Sequence, residues 1–422
     1  MAHIMNEQLF QFIWRFRYFN AAALATIQGD PVDVIDTGIL NTHQGPDFSN
    51  ARIRIGQTVW AGSVELHIRS SDWHKHGHQT DHHYDRVILH VVWEHDSGPE
   101  HMPVLELRDR VPRFLLQRYR TLLLEGPFIP CGNMITDVPA LQWQGWTDSL
   151  LAARLERKAA EIFSMLDTNK VHWEEVSWWM IARNFGARVN IACFEAMARS
   201  IPFSILSKHR SQVIQLEAML MGQAGLLNGS FKEDYPVMLQ KEHRFWQQKY
   251  RLSKPALSPL FLRMRPDNFP TIRLAQLAAL LQQTPRLFDR IRECTDHRQI
   301  LQWLDLQAND YWHYHYRFDE LSAFRIKKTG LAMGENIIIN TIAPLLFAWG
   351  VYHKERSGKE KALQLLSSCR GEENKIIRGF SELGIRTGTA FDSQALLELF
   401  NEFCMKKKCL SCTAGNYLLG HQ

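Results

Sequence analysis

The first apolar residues of the chain recur at helical spacing. Leu9, Phe10, Ile13 and Trp14 fall on one face of a helix, which predicts an amphipathic helix over residues 5–18. From residue 32 onward the apolar period shortens to two, the spacing at which successive side chains of a β-strand point to opposite faces. The pattern therefore predicts an opening helix followed by a sheet.

The clearest pair of predicted strands is a hairpin. Residues 51–55 alternate small or apolar side chains with arginines, residues 56–57 are a Gly-Gln turn, and residues 59–68 alternate again. This alternation puts Glu65 and His67 on one face of the second arm. In chain order the predicted strands are residues 32–35, 51–55, 59–68, 86–93 and 103–107.

A change of pattern near residue 110 predicts a second, helical part. Before it, a short helix over residues 72–77 links the hairpin to the nearly all-apolar strand at residues 86–93. After it, apolar residues follow helical periods. The predicted fold class is α+β: an α/β sandwich core with the order α-β-β-β-α-β, then a large, mostly α-helical region. The predicted domains are residues 5–130, with a histidine-rich loop, and residues 131–422, ending in a cysteine cluster.

Composition narrows the class of protein. A chain of 422 residues exceeds one ordinary core, and 45% hydrophobic with 22% charged residues excludes wholesale disorder. The longest apolar run, residues 337–349, is too short to cross a membrane, and polar residues occupy the N-terminal segment where a signal peptide has its apolar core. We therefore expect a cytoplasmic protein with no membrane partner. A net charge of +5 permits a nucleic-acid partner without requiring one.

Two acidic residues flank the predicted hairpin turn. Asp47 precedes the first arm, and Glu65 lies within the second. Because a hairpin folds the chain back on itself, these two carboxylates can converge on one point, and convergent carboxylates suit Mg²⁺ or Mn²⁺. The alternative is that Asp47 caps a turn and Glu65 is a solvated strand residue.

The pattern Pro46-Asp47 before one strand and Glu65-Leu66-His67 on the next resembles that of PD-(D/E)xK nucleases, whose core also runs α-β-β-β-α-β. The resemblance implies a metal-dependent nuclease-like protein that cleaves DNA or RNA phosphodiesters, with Asp47 and Glu65 holding Mg²⁺ or Mn²⁺. His67 stands where the family has lysine; it would assist catalysis, or the core would bind nucleic acid or act as a scaffold without turnover. Glu7 matches an acidic residue that some members carry on the opening helix.

A histidine-rich segment follows the hairpin, and eleven of the 19 histidines precede residue 102. His74, His76, His78, Asp81 and Tyr84 are candidates to support the site by contacting phosphate or carrying a proton. His74 and His78 have the i, i+4 spacing that aligns two imidazoles on a helix, so a histidine-ligated zinc hydrolase is a third hypothesis. The alternative is a polar loop in which histidines and aspartates pair with one another.

Three of the seven cysteines lie close together near the C-terminus. Cys404, Cys409 and Cys412 form a C-x4-C-x2-C pattern, and Cys131, in a Pro-Cys-Gly joint, offers a fourth thiol. Four thiols predict Zn²⁺ or a [4Fe–4S] cluster. Some PD-(D/E)xK nucleases hold such a cluster on one upstream and three C-terminal cysteines, with different spacing. Free thiols without a metal are the alternative.

A basic segment in the helical region combines arginines with aromatic residues. Arg263, Arg265 and Arg273 are candidates for contacting a nucleic-acid backbone, because arginines interleaved with aromatics can bind phosphates and stack on bases. The favoured alternative is a joint between helices whose arginines pair with nearby acids.

Over nearly its whole length the chain also resembles a bacterial family known only as a domain of unknown function. The resemblance lies in residues 8–17, 45–96 and 263–276 and in the final cysteines. It implies full-length membership of that family and no particular activity.

Overall fold

A computed structural model describes residues 5–41, 44–97, 102–124, 128–169, 172–253, 257–262, 264–294 and 296–420. It confirms the predicted α+β class in its coarse form. An N-terminal mixed sheet is followed by a large helical region. Four antiparallel strands follow the opening helix, then a short helical link and two parallel strands. This is the predicted order of helix, three strands, link and two strands with one unpredicted two-residue strand, Ile39–Leu40, added.

The N-terminal elements form one sheet with helices beside it. In chain order they are α1 (Glu7–Arg15), β1 (Val32–Asp36), β2 (Ile39–Leu40), β3 (Phe48–Ile55), β4 (Thr58–Arg69), α2 (Asp72–Lys75), β5 (Val87–Glu94), β6 (Val104–Glu106) and α3 (Arg113–Leu124). The strand order is β1-β3-β4-β5-β6, with β2 beside β3. β4 pairs antiparallel with β3 and parallel with β5, so β4 lies near the centre of a mixed sheet.

The hairpin and the opening helix form for the reasons that their sequences suggest. Gly56 has a φ of 59°, a left-handed conformation that glycine adopts without strain, and it lets Ile55 pair with Thr58 across a two-residue turn. The Asn6 side chain caps α1 by accepting the Leu9 N–H at 2.8 Å. The apolar face of α1 is fully buried, which fixes the helix against the sheet.

Gly62 allows β4 and β5 to approach each other. A Cβ at this position would overlap Ile88 Cγ2 and lie 2.7 Å from the Arg86 carbonyl oxygen, which already accepts the Ser63 N–H. We expect Gly62→Ala to lower the free energy of unfolding by about 1–3 kcal/mol, because backbone of a neighbouring strand cannot yield cheaply. Denaturant unfolding measures this.

A control for the Gly62 variant comes from α4 (Ala140–Asn169), the first helix after α3. Gly145 lies in that helix with no atom within 4 Å of an added Cβ. Gly145→Ala should leave stability unchanged or raise it, because alanine is the better helix former. Equal stability of Gly62→Ala and the unsubstituted protein would contradict the predicted clash.

The remaining elements are almost all helical. They are α4 (Ala140–Asn169), α5 (Trp173–Phe185), α6 (Ala187–Ser200), α7 (Phe203–Lys208), α8 (Val213–Gln223), α9 (Asp234–Tyr250), α10 (Pro270–Gln283), α11 (Leu287–Glu293), α12 (His297–Trp303), β7 (His315–Arg317), β8 (Glu320–Leu321), α13 (Leu331–Ile337), α14 (Ala343–Tyr352), α15 (Arg356–Ser368), α16 (Lys375–Glu382), α17 (Ala390–Glu398) and α18 (Thr413–Gly420). The residues from Leu216 to the end of α8 are all buried, and so is most of α10. These two helices pack on each other in the helical core.

Within the described residues, one helix is long and apolar enough to cross a membrane. It is Leu331–Tyr352, formed by α13, a wide turn at Ile338–Ile342 and α14. The sequence estimate of a run too short to span was wrong, because the wide turn at Ile338–Ile342 joins α13 to α14. The helix therefore continues through Pro344, beside a turn that already departs from α-helical hydrogen bonding. Of the most apolar window, 67% is buried, as in the core helix of a soluble protein.

The chain divides into two compact units. The first comprises Met1–Thr147, Gly379–Ile385 and Leu399–Gln422, and the second comprises Asp148–Arg378 and Arg386–Glu398. These limits differ from the predicted domains of residues 5–130 and 131–422. In particular, the C-terminal cysteines belong to the same unit as the sheet.

Candidate metal centre

The two predicted acids lie side by side. The Asp47 backbone N–H donates to Glu65 Oε2 at 2.9 Å, which joins the start of β3 to the middle of β4. Asp47 itself accepts two hydrogen bonds: Gln11 Nε2 donates to its Oδ1 at 2.7 Å, and the Leu66 N–H donates to its Oδ2 at 3.0 Å. Glu65 Oε1 is left facing the histidine-rich segment.

Burial dominates the electrostatics of this carboxyl pair. It raises the pKa of both groups, because a charged carboxylate loses its hydration inside the protein. The charge of Asp47 raises the pKa of Glu65 further, and the charge of Glu7, which is exposed on α1, raises the pKa of both. The pair therefore favours a positively charged ligand that would relieve its repulsion.

Three histidines converge beside Glu65. One ring nitrogen from each of His67, His76 and His78 lies within 4.8 Å of the other two, and we call these three residues the histidine group. His67 Nε2 is 3.1 Å from His76 Nδ1. Glu65 Oε1 is 3.6 Å from His67 Nε2 and 3.5 Å from His78 Nε2, so the carboxylate lies beside two of the three histidines.

The protonation of the group suits metal binding. Burial and the neighbouring imidazoles lower the pKa of His67 to about 3, and burial lowers the pKa of His78. A neutral imidazole is the form that binds metal. The His78 side chain is only 10% exposed, and its Nε2 has no hydrogen-bond partner although it points at Glu65. A buried ring nitrogen without a partner is costly, so His78 Nε2 is free to bind a metal ion.

His90, on β5, contacts His67 of the histidine group. Its Nε2 lies 2.9 Å from His67 Nδ1, and burial lowers its pKa to about 4. If His67 donates from Nδ1 to His90, its Nε2 lone pair is directed into the group, which is how outer partners orient metal-binding histidines. His90 is adjacent to Glu65 in the register of β4 and β5.

The predicted helical pair of His74 and His78 does not form. α2 ends at Lys75, and Gly77 takes a φ of 75°, which turns the chain so that His78 begins a separate turn, His78–Thr80. This reversal brings His76 and His78 back over β4, whereas His74 stays exposed outside the histidine group. Glycine is the residue that adopts this backbone conformation at little cost.

The other predicted supporting residues have unequal roles. The Tyr84 ring stacks on His78 with centroids 3.8 Å apart, and the proximity of buried carboxyls adds to burial in raising its pKa to about 12. Asp81 instead accepts from the His83 N–H at 2.9 Å and caps the turn at His82–Tyr84. Tyr84 thus packs against a histidine of the group, and Asp81 shapes the loop.

The four predicted cysteine ligands come together in the first unit. Cys131, Cys404, Cys409 and Cys412, which we call the four-cysteine group, line one small cavity. All four are free thiols. Burial, and then the proximity of the other thiols of the group, raises the pKa of Cys131 to about 12. Cys193, Cys294 and Cys369 are buried in the second unit.

The arginines predicted to contact nucleic acid are not equivalent. Arg273 is largely buried, and its guanidinium donates to Gln276 at 2.9 Å and to Asn268, so it braces the segment before α10 instead of facing solvent. Arg265 is exposed. Arg263 lies outside the described residues.

Two residues that contact the site were not among the predicted ones, Gln11 and His90. Gln11 holds Asp47 from α1, and it lies one turn after Glu7 on the polar side of that helix, where no sequence signal distinguishes it. His90 stood out as a histidine within an apolar strand, but the sequence alone could not show that its ring meets His67.

Comparison with known proteins places these residues within a family. A family model described as a protein of unknown function (DUF2851) matches residues 7–375, which include the sheet, the carboxyl pair and the histidine group. Neither the curated proteins nor the solved structures gave a significant match to the chain.

Proposed function

We propose that this chain, which belongs to the DUF2851 family of proteins of unknown function, is a metal-dependent hydrolase whose ion is bound by the histidine group, with Glu65 beside it as the proton acceptor. The observation that carries this proposal is the spacing of the ligand atoms. In a tetrahedral zinc site with bonds of about 2.0–2.1 Å, neighbouring ligand atoms lie about 3.3 Å apart. His67 Nε2 lies 3.1 Å from His76 Nδ1, close to that value, and one ring nitrogen of each histidine lies within 4.8 Å of the other two. Glu65 Oε1 lies beside these ligands, 3.6 Å from His67 Nε2 and 3.5 Å from His78 Nε2, and leaves the fourth position of the ion to water.

The donor set favours a transition metal over Mg²⁺. Mg²⁺ and Mn²⁺ prefer oxygen ligands, whereas imidazole nitrogens suit Zn²⁺, Cu²⁺, Fe²⁺ and Ni²⁺. Each carboxylate oxygen of Asp47 accepts a hydrogen bond and its backbone N–H donates to Glu65, so in our proposal Asp47 positions Glu65 and the ion lies on the histidines. The Mg²⁺ or Mn²⁺ site predicted on Asp47 and Glu65 is thus replaced, in our proposal, by a histidine-rich one.

The chain's own residues divide the work of hydrolysis. A bound ion would lower the pKa of a water molecule and polarise the substrate. Glu65 Oε1 can hold a proton beside the histidines, while His90 orients His67. His76 is exposed and His67 is buried, so substrate would enter from the His76 side.

We propose a nucleic-acid phosphodiester as the substrate. The support is the arrangement of the acids on the sheet. Asp47 precedes β3, Glu65 and His67 share a face of β4, and β5 runs parallel to β4, an order consistent with the PD-(D/E)xK pattern. A metal ion between such groups is suited to polarising a phosphoryl oxygen. The net charge of +5 is compatible with this partner.

A cleavage assay tests the proposal. Labelled single- and double-stranded DNA and RNA are incubated with the purified chain and Zn²⁺, Mn²⁺ or Mg²⁺. We expect the fastest cleavage with Zn²⁺, and a loss of at least about 100-fold in Glu65→Gln, because the proton acceptor is removed. His82→Ala is the control, since His82 is 97% exposed and lies outside the histidine group. Undiminished cleavage by an Asp47→Asn, Glu65→Gln double variant would reject the proposal.

A second candidate is a nucleic-acid-binding or scaffold protein without turnover. The engagement of both Asp47 oxygens favours it, as does the histidine in place of the expected lysine at position 67. It predicts affinity that falls steeply with salt and no cleavage with any of the three metals. The same assay, combined with binding measured at several salt concentrations, separates the two.

A further inference from the structure

The four-cysteine group is assembled from well-separated parts of the chain. Cys131 lies between α3 and the turn at Ile135–Asp137, Cys404 ends the wide turn Leu399–Cys404, and Cys409 begins the turn Cys409–Ser411. Cys412 directly precedes α18. The rest of the cavity lining includes the apolar residues Ile135, Leu399 and Phe403. Free cysteines do not need to gather in one apolar cavity, as these four thiols do.

The local structure presents Cys412 for binding. The backbone N–H groups of Ala414 and Gly415, in the first turn of α18, donate to its sulfur. Donors of this kind favour the thiolate that a metal needs and adjust the potential of an iron–sulfur cluster. Gly415 also allows the close approach of Cys409, since a Cβ there would overlap the Cys409 carbonyl.

The spacing of the thiols argues against a single zinc ion. With Zn–S bonds of about 2.3 Å, four sulfurs around one zinc lie about 3.8 Å apart. Among the described residues, no three of these sulfurs lie within 4.8 Å of one another, whereas the ligand atoms of the histidine group do. A cluster of irons holds its four thiolates further apart, on the outside of the cluster.

We propose that the four-cysteine group binds a [4Fe–4S] cluster whose role is to hold the C-terminal segment, Leu399–Gly420, on the unit that carries the sheet. This segment is built of short pieces: a wide turn, a single turn and the eight-residue α18. Helices that short are unstable by themselves. In this segment α18 packs on α3, and the Phe400 ring packs on the Phe128 ring with centroids 5.1 Å apart. The cluster adds a covalent tie to Cys131.

The rate at which a protease cuts the loop between Cys404 and Cys409 measures how firmly the cluster holds this segment. Lys406, Lys407 and Lys408 are exposed between Cys404 and Cys409, so trypsin can recognise them. Cleavage requires the loop to open locally. The cluster would hold both ends of the loop, whereas loss of Cys131, a ligand outside the loop, would release them.

The experiment begins with metal analysis of the full chain purified without oxygen. We expect about four irons and four sulfides per chain and a brown colour. Cys131→Ser should lose most of the iron and be cut at the lysine loop at least about tenfold faster, since removal of a ligand opens the site. Cys369→Ser is the matched control, because Cys369 is equally buried but lies in the second unit. It should keep both its iron and its resistance.

Further measurements distinguish loss of the cluster from a general folding defect and from failure of the proposed hydrolase function. Removing iron from the unsubstituted chain, by oxidation with a chelator present, should speed trypsin cleavage as Cys131→Ser does. His67→Ala should leave the iron content unchanged. One zinc per chain instead of iron, or no metal lost in Cys131→Ser, would overturn the cluster. Unchanged cleavage after iron removal would overturn its role as a tie.

Discussion

His67→Ala and His78→Ala should each weaken the binding of Zn²⁺ to the chain by more than about 100-fold, the upper range for loss of an outer-shell partner. Each change removes an imidazole nitrogen from a group whose ligand atoms lie within 4.8 Å of one another. His90→Ala should have a smaller effect, about 10–100-fold, since His90 contacts His67 and not the proposed ion. Competition with a coloured chelator measures all three affinities.

The neighbouring histidine provides the control for this series. His74 precedes the group by two residues in sequence, but it is exposed and outside it. His74→Ala should therefore bind Zn²⁺ as the unsubstituted chain does. Equal loss in His74→Ala and His78→Ala would point to nonspecific binding by a histidine-rich surface, and so would a larger effect of His90→Ala than of His67→Ala.

The sequence could predict that the two carboxyl groups lie close together, because their proximity depends on strand pairing. Alternation placed Glu65 on a known face, and the glycine turn set the register that carries Asp47 towards it. Hairpin register follows from local turn chemistry, so a sequence can specify it. An ion shared by both carboxylates stays a prediction. The hydrogen bonds from Gln11 and the Leu66 N–H to Asp47 come from packing, which the sequence did not show.

The sequence could not predict the membership of the histidine group in the same way. Its histidines were all noticed, but the i, i+4 rule selected His74 as the partner of His78. The actual partners, His67 and His76, depend on a left-handed glycine at position 77 and on the return of the chain over β4. One backbone angle thus decided which side chains met, and periodicity does not carry that information. The cysteines were easier, since three of them are close in sequence.

Glu217→Gln should make the protein more stable at pH 8 and leave its stability nearly unchanged at pH 4.5. Glu217 is completely buried on α8, and its Oε2 accepts hydrogen bonds from Tyr235 Oη at 2.7 Å and from Trp312 Nε1 at 2.9 Å. Its Oε1 has no hydrogen-bond partner. Burial raises the pKa of Glu217 to about 7, so the group is protonated in the folded protein over a range where the unfolded chain has lost the proton.

The direction of the pH effect follows from proton linkage. The folded state holds the Glu217 proton more tightly, so its contribution to stability is fully present below the unfolded pKa, near 4.5, and is lost as the pH rises through about 7. Above that pH the loss amounts to about 3 kcal/mol, from a shift of somewhat over two pKa units. Glutamine stays neutral and can still accept both hydrogen bonds through its oxygen, so the variant avoids this loss.

Denaturant unfolding between pH 4.5 and 8 measures the difference between Glu217→Gln and the unsubstituted protein. Titrations of other groups are common to both chains, so they cancel in that difference. The difference should grow in favour of the variant as the pH rises. The same substitution at the exposed Glu156 of α4 should give a flat difference curve. A Glu217→Gln curve as flat as that of the control would show that the buried carboxyl is charged at neutral pH, and would require a cation or water at its free oxygen.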